Sequence, residues 1–175
     1  LPIGGRGRPR KYCGETCRKR AQRAAELPKE LTSRARWVRR RGKRPVTETG
    51  FAASVTDSTT WTSYGRAKAS KRGDGLGFVL GDGVACLDLD DVVTDGRLDP
   101  AAAKLLASLP ATFTEVSMSG RGLHIFGLLP EAPGRVRTVG GIKIELYSRE
   151  RFIAVTGKRW PGAPATLANL SAALG

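Results

Sequence analysis

The chain is poor in histidine, methionine, cysteine and acids. It has one histidine, one methionine and three cysteines in 175 residues. An odd number of cysteines does not suggest a disulfide framework and fits a reducing cytoplasm. Structural zinc needs four ligands. Cys13 and Cys17 supply two thiols, Cys86 falls inside a strand-like run, and the lone histidine has another use, so zinc is not expected. No run approaches the ~20 apolar residues of a membrane span. Residues 1–5 are too few for the apolar core of a secretory signal, so no membrane partner is expected. Acids number 16 against 30 Lys and Arg, a formal charge of +14. That imbalance points to a polyanionic partner, most simply nucleic acid.

An apolar fraction of 40% is enough for a core. This length usually makes one domain, with at most an appendage. Residues 1–30 read as a basic N-terminal arm, Gly/Arg/Pro-rich over 4–11 and helical in composition over 15–26. The arm is suited to nucleic acid or a partner. Residues 31–175 read as the folded domain. Over 29–41 a second helix is expected, with Leu31, Ala35 and Val38 on one side, followed by a long connection over 42–57. Asp57 or Ser58 can cap a helix over 59–70, where Trp61, Tyr64 and Ala67 have helical spacing. Strands are expected at 76–80 and 84–89, joined by Gly81-Asp82-Gly83, a strong hairpin signal. Asp99 followed by Pro100 starts a helix running to about residue 108. Further strands are read at 112–117, 123–128, 142–147 and 152–156, and a closing helix at 165–174. The pattern is α+β, with helices first and then a mainly antiparallel sheet with one inserted helix.

The chemistry begins at Gly83-Val84-Ala85-Cys86-Leu87-Asp88-Leu89-Asp90-Asp91, a buried strand that ends in carboxylates. Asp88 and Asp90 are two apart and share a face of the strand, while Leu87 and Leu89 face the other way. Two acids on one face can hold a divalent metal, and a metal pair can run phosphoryl chemistry. Glu145 lies on a later strand, on one face with Lys143 and Tyr147. His124 follows Ser119-Gly120-Arg121-Gly122. Two glycines let the backbone approach a ligand, and Ser119, Arg121 and backbone N–H groups can receive phosphate oxygens. Each piece alone also has an ordinary structural reading: a polar strand end, a solvated strand face, a glycine-rich hairpin. Together they supply what polymerising nucleotides requires. Metal activates a 3′ hydroxyl and neutralises a triphosphate, and cations hold the phosphates.

In these motifs the chain resembles the primase-polymerase domains of the archaeo-eukaryotic primase superfamily, in the form found in bacteriophages, plasmids and integrated elements. The three motifs correspond to Asp88-Leu89-Asp90, to Ser119 through His124, and to Glu145. Lys43-Arg44-Pro45, Trp61, the run from Gly75 to Leu80 and the run from Arg151 to Gly157 are also similar. The likeness covers roughly residues 36–160. It departs in the insertion of Arg121-Gly122 before Leu123-His124, which leaves open which serine is the family one, and in Glu145, where an Asp is usual.

The resemblance implies an RRM-like sheet packed with a smaller α/β module. It implies template-directed synthesis of primers or DNA from nucleoside triphosphates, with Asp88, Asp90 and Glu145 holding two Mg²⁺ or Mn²⁺ ions. His124, Ser119 and Arg121 then contact the nucleotide's phosphates. Strand direction and local charge add Lys143 and Arg151. The implied partners are a single-stranded DNA template, a primer and, in a longer protein, a helicase domain. Two other readings use the same residues: a non-catalytic single-strand-binding replication module and a metal-dependent nuclease.

Overall fold

The computed structural model describes residues 14–17 and 26–174. Its strands in chain order are β1 (Trp37–Arg41), β2 (Arg44–Val46), β3 (Gly75–Val79), β4 (Val84–Leu89), β5 (Val93–Thr94), β6 (Arg97–Leu98), β7 (Thr114–Val116), β8 (Leu123–Leu128), β9 (Arg135–Val139), β10 (Ile142–Tyr147) and β11 (Phe152–Val155). They form a four-stranded sheet ordered β11-β3-β1-β2, a five-stranded sheet ordered β7-β8-β4-β10-β9, and a small β5-β6 ribbon. The strand pairs within these sheets are antiparallel. This is the expected α+β class.

Two apolar clusters hold the fold. One joins the sheets, with Trp37, Phe78, Ile153 and Val155 from the first and Val84, Cys86 and Phe126 from the second. The other lies on the opposite face of the five-stranded sheet, where Leu87, Leu89, Leu123, Ile125 and Ile144 pack with Ala102 of the helix Pro100–Ser108. Alternation along β4 and β8 thus feeds both clusters, as period-2 strands buried on both faces must. Asp99 caps that helix by accepting from the Ala101 and Ala102 N–H groups, as the Asp-Pro pair predicts.

Several expected elements are corrected. The helix expected over 29–41 exists only as Lys29–Thr32, and Trp37–Arg41 is a strand. Trp37 and Val38 are adjacent and both fully buried. That requires a central strand with two covered faces, and β1 lies between β2 and β3. The expected connection over 42–57 contains β2, which returns along β1 from Arg44 to Val46. The expected helix over 59–70 is two pieces: a 3₁₀ turn Ser58–Thr60 capped by Asp57, and a helix Tyr64–Ala69 capped by Ser63. Trp61 and Thr62 between them are extended, and Thr62 bridges to Trp37. The closing helix shortens to Ser171–Leu174. Residues 15–17 are helical. The rest of the arm and of its expected helix, Cys13 included, lies outside the described residues.

The Gly81-Asp82-Gly83 turn forms, with Gly81 and Val84 exchanging backbone hydrogen bonds of 3.3 and 3.1 Å. It does not make a hairpin. Both edges of β3 are taken, by β1 and β11, and both edges of β4, by β8 and β10. The turn instead sends the chain from one sheet to the other. Arg36 fastens it, donating to the Val79 and Leu80 carbonyls at 2.8 and 2.6 Å and to Asp82 at 3.1 Å. The same guanidinium lies 4.4 Å over the Trp61 ring.

Candidate active site

Four ionisable residues fall in one cross-strand row. Glu115 of β7 stands opposite His124 of β8, His124 opposite Asp88 of β4, and Asp88 opposite Glu145 of β10. These strands are consecutive neighbours in the sheet. Residues directly opposite share a face. The row lies on the side that carries Cys86 and Phe126 toward the cluster joining the two sheets.

His124 sits between two carboxylates. Its Nδ1 is 3.2 Å from Glu115 Oε1 and its Nε2 is 3.7 Å from Asp88 Oδ1. Glu115 is fully buried. It accepts from the Thr156 N–H at 3.0 and 3.2 Å and from the Gly157 N–H at 2.8 Å. Glu115 has no role in the sequence reading. The available signal was a charged residue on an otherwise uncharged strand, two residues before Ser117.

Burial pushes the Asp88 carboxyl above the usual carboxylate range. His124 opposes the shift, Asp90 and Glu145 add to it, and Arg151 opposes it. Asp88 therefore feels both other acids as unfavourable like charges. Glu145 shifts the other way, held below the usual range first by its hydrogen bond from Lys143 and then by that from Tyr147. Lys143 Nζ is paired with Glu145 Oε1, and Tyr147 Oη donates to Oε2 at 2.7 Å. Among the described residues, no three His, Cys, Asp or Glu side chains converge closely enough to cage an ion. Asp88, Asp90 and Glu145 offer oxygen donors, the kind that suits hard divalent cations.

A cleft of about 540 Å³ opens between the two larger sheets. The five-stranded sheet contributes Asp88, Asp90, Ser117, Ser119 and His124 to its lining. Gly42, Lys43 and Pro45 of the β1–β2 hairpin, Val55, Met118, and Glu150 through Ala154 line the rest. The Ser-Gly-Arg-Gly turn closes on itself: the Gly122 N–H donates to Ser117 Oγ at 3.1 Å and the Arg121 N–H to Ser119 Oγ at 3.2 Å. At Gly122 a Cβ would sit 2.5 Å from the Leu89 carbonyl oxygen, so glycine allows the turn to press on the end of β4.

The sequence-derived residues thus divide. Asp88, Asp90, Ser119, His124 and Arg151 come together at the cleft, and Ser117 joins them. Glu145 is next to Asp88 but turned to Lys143, whose side chain is half exposed. Arg121 Nε pairs with Asp91 Oδ1 at 2.9 Å, outside the cleft lining. Arg151 stacks over the Tyr147 ring at 4.4 Å.

No curated protein sequence matches the chain. The family model described as bifunctional DNA primase/polymerase, N-terminal, matches residues 17–172. The match spans every element that builds the cleft and the row, and the chain belongs to the bifunctional DNA primase/polymerase N-terminal domain family.

Proposed function

We propose that residues 31–175 form a catalytic domain that adds nucleotides to a primer or DNA strand on a single-stranded template, in phage or mobile-element replication. The observation that carries this reading is the row: acids from two neighbouring strands beside a histidine, with Asp88 and His124 lining a cleft that Lys43 and Arg151 also line. Asp88, Asp90 and Glu145 are the residues to hold two Mg²⁺ or Mn²⁺ ions. Bound there, the ions supply activation of the 3′ hydroxyl and neutralisation of triphosphate charge.

The chain's own groups orient the nucleotide. His124 turns Nδ1 to Glu115 and offers Nε2 on the cleft side to the nucleotide's phosphates. Ser117 and Ser119 offer hydroxyls from the turn beside it, and Arg151 offers a planar fork from the opposite wall. Lys143 reaches the phosphates once it leaves Glu145. Arg121, fastened to Asp91, steadies the turn.

Template follows the basic rim. Arg41, Lys43 and Arg44 are exposed around the tip of the β1–β2 hairpin, and Lys43 also lines the cleft. The segment after β2 folds back alongside it, with Ala52 bridged to Val46, and leaves Phe51 75% exposed. Cations with an aromatic face are what an unpaired strand recognises. A helicase domain in a longer protein would supply such a strand. Among the described residues no helix is long and apolar enough to cross a membrane.

The test is labelled-nucleotide incorporation on a primed single-stranded template with Mg²⁺ or Mn²⁺. Asp88→Ala and Asp90→Ala should each abolish it while retaining salt-sensitive DNA binding. Shortening of the labelled strand would mark a nuclease. Binding without extension by the parent protein would mark a non-catalytic module.

A further inference from the structure

We propose that Glu115 is a positioning residue: it holds the His124 imidazole with a proton on Nδ1 and Nε2 turned to the cleft. The proposal rests on the reading of His124 as a nucleotide contact.

A fully buried carboxylate is an expensive way to fill space, and an apolar side chain of similar size would do so at lower cost. Glu115 is fully buried, and beside His124 Nδ1 its carboxylate meets the Thr156 and Gly157 N–H groups. The Thr156 and Gly157 N–H groups can only donate. Both carboxylate oxygens therefore act as acceptors, and Oε1 is shared between the Thr156 N–H and His124 Nδ1. A bare Nδ1 would set a lone pair against that oxygen in a buried place. A protonated Nδ1 completes the carboxylate's shell and leaves Nε2 as the cleft-side atom. The neighbouring Phe126 ring stands at 90° to the imidazole, with centroids 6.4 Å apart, and limits its swing.

The same carboxylate ties the walls of the cleft together. Thr156 and Gly157 directly follow β11, whose residues 152–154 line the wall facing His124. Beyond them the chain crosses to the edge of β7, where the Val116 N–H donates to the Lys158 carbonyl and the Trp160 N–H to the Thr114 carbonyl, both at 2.8 Å. Glu115 sits at this corner, with both oxygens on the Thr156–Gly157 backbone and Oε1 also on His124. Its loss should disturb the histidine ring and the spacing of the walls together.

His124 is the only histidine in the chain, so its ring nitrogens can be read without assignment ambiguity. The measurement is the ¹⁵N–¹H correlation spectrum of histidine-labelled protein, above the pH where the ring titrates. The parent should show the proton on Nδ1. In Glu115→Gln the single carbonyl oxygen should stay with the Thr156 and Gly157 N–H groups. The amide NH₂ then faces Nδ1, and the proton should move to Nε2. Nucleotide KM should rise about tenfold, the usual size for losing an orienting partner, with kcat changed less. A bare Nδ1 in the parent overturns the proposal, whether or not the variant folds. So does a folded Glu115→Gln protein with the parent's tautomer and KM. His124→Asn tests the underlying reading separately: unchanged incorporation and nucleotide affinity would remove His124 from the site without altering the tautomer result.

Discussion

Glu145 stands directly across from Asp88 in the β4–β10 pair, yet its carboxylate is engaged by Lys143 and Tyr147. On the proposed function, an ammonium here occupies the role that a divalent cation would take. Lys143→Ala should therefore tighten Mn²⁺ binding by about two- to fivefold, the scale of a partly exposed ion pair, and lower incorporation by removing a cation that serves the phosphates. Free Mn²⁺ followed by electron paramagnetic resonance checks the first effect. Unchanged affinity would show that Lys143 does not compete with metal.

The two acids should give pH dependences of opposite sign. Asp88 has a raised carboxyl pKa in the folded protein, so the native state holds its proton longer than the unfolded chain. Its contribution is present below the ordinary Asp range and is lost as pH rises through the raised value. Glu145 has a depressed pKa. Its contribution is present above the ordinary Glu range and is lost as pH falls through the lowered value. Metal-free Asp88→Asn should melt higher than the parent at neutral pH, by ~2–4 °C for each kcal/mol gained, and Glu145→Gln should melt lower. Calorimetry across pH decides this, and an Asp88→Asn protein that melts below the parent at neutral pH refutes the first half.

The template rim separates charge from stacking. Lys43→Glu and Arg44→Glu should weaken single-strand binding across sequences and reduce the salt slope by about 1 for each phosphate no longer neutralised. Phe51→Ala should cost about 1–3 kcal/mol of binding and leave the slope unchanged. Fluorescence anisotropy over a salt series reads both. Wild-type affinity in all three variants would move the template elsewhere.

Gly122 offers a test of the turn. A methyl there meets the Leu89 carbonyl oxygen at 2.5 Å and Ser117 Oγ at 2.8 Å. Gly122→Ala should lower stability by about 1–3 kcal/mol, the cost of overpacking, and should impair incorporation by shifting the end of β4 between Asp88 and Asp90. Denaturant melts and extension assays measure the two effects on one preparation.

Local patterning made much of the molecule readable in advance. The strand-like runs over 84–89, 123–128 and 142–147 placed Asp88, His124 and Glu145 on strands with the faces later observed, since successive side chains of any strand point to opposite faces. Asp99-Pro100 marked a helix start for an equally local reason. The run from Trp37 to Arg41 misled because a strand covered on both faces carries no alternation, and its spacing to Leu31 imitates a helix. β9 went unread although it pairs with β10, because all five of its residues are exposed at a sheet edge.

What the chain determined by itself is the set of reactive side chains and the strand face each one occupies, because side-chain direction follows from backbone period. Only the tertiary structure decided which strands are neighbours. It parted β3 from β4 across a turn that reads as a hairpin. It also set β7, β8, β4 and β10 side by side, so that Glu115, His124, Asp88 and Glu145 stand in one row. Strand order depends on edges being filled by segments distant in sequence, and no local pattern carries that information. Glu115 shows the difference most plainly: on its own strand it is an unexplained acid, and beside His124 and Gly157 it has partners that account for its burial.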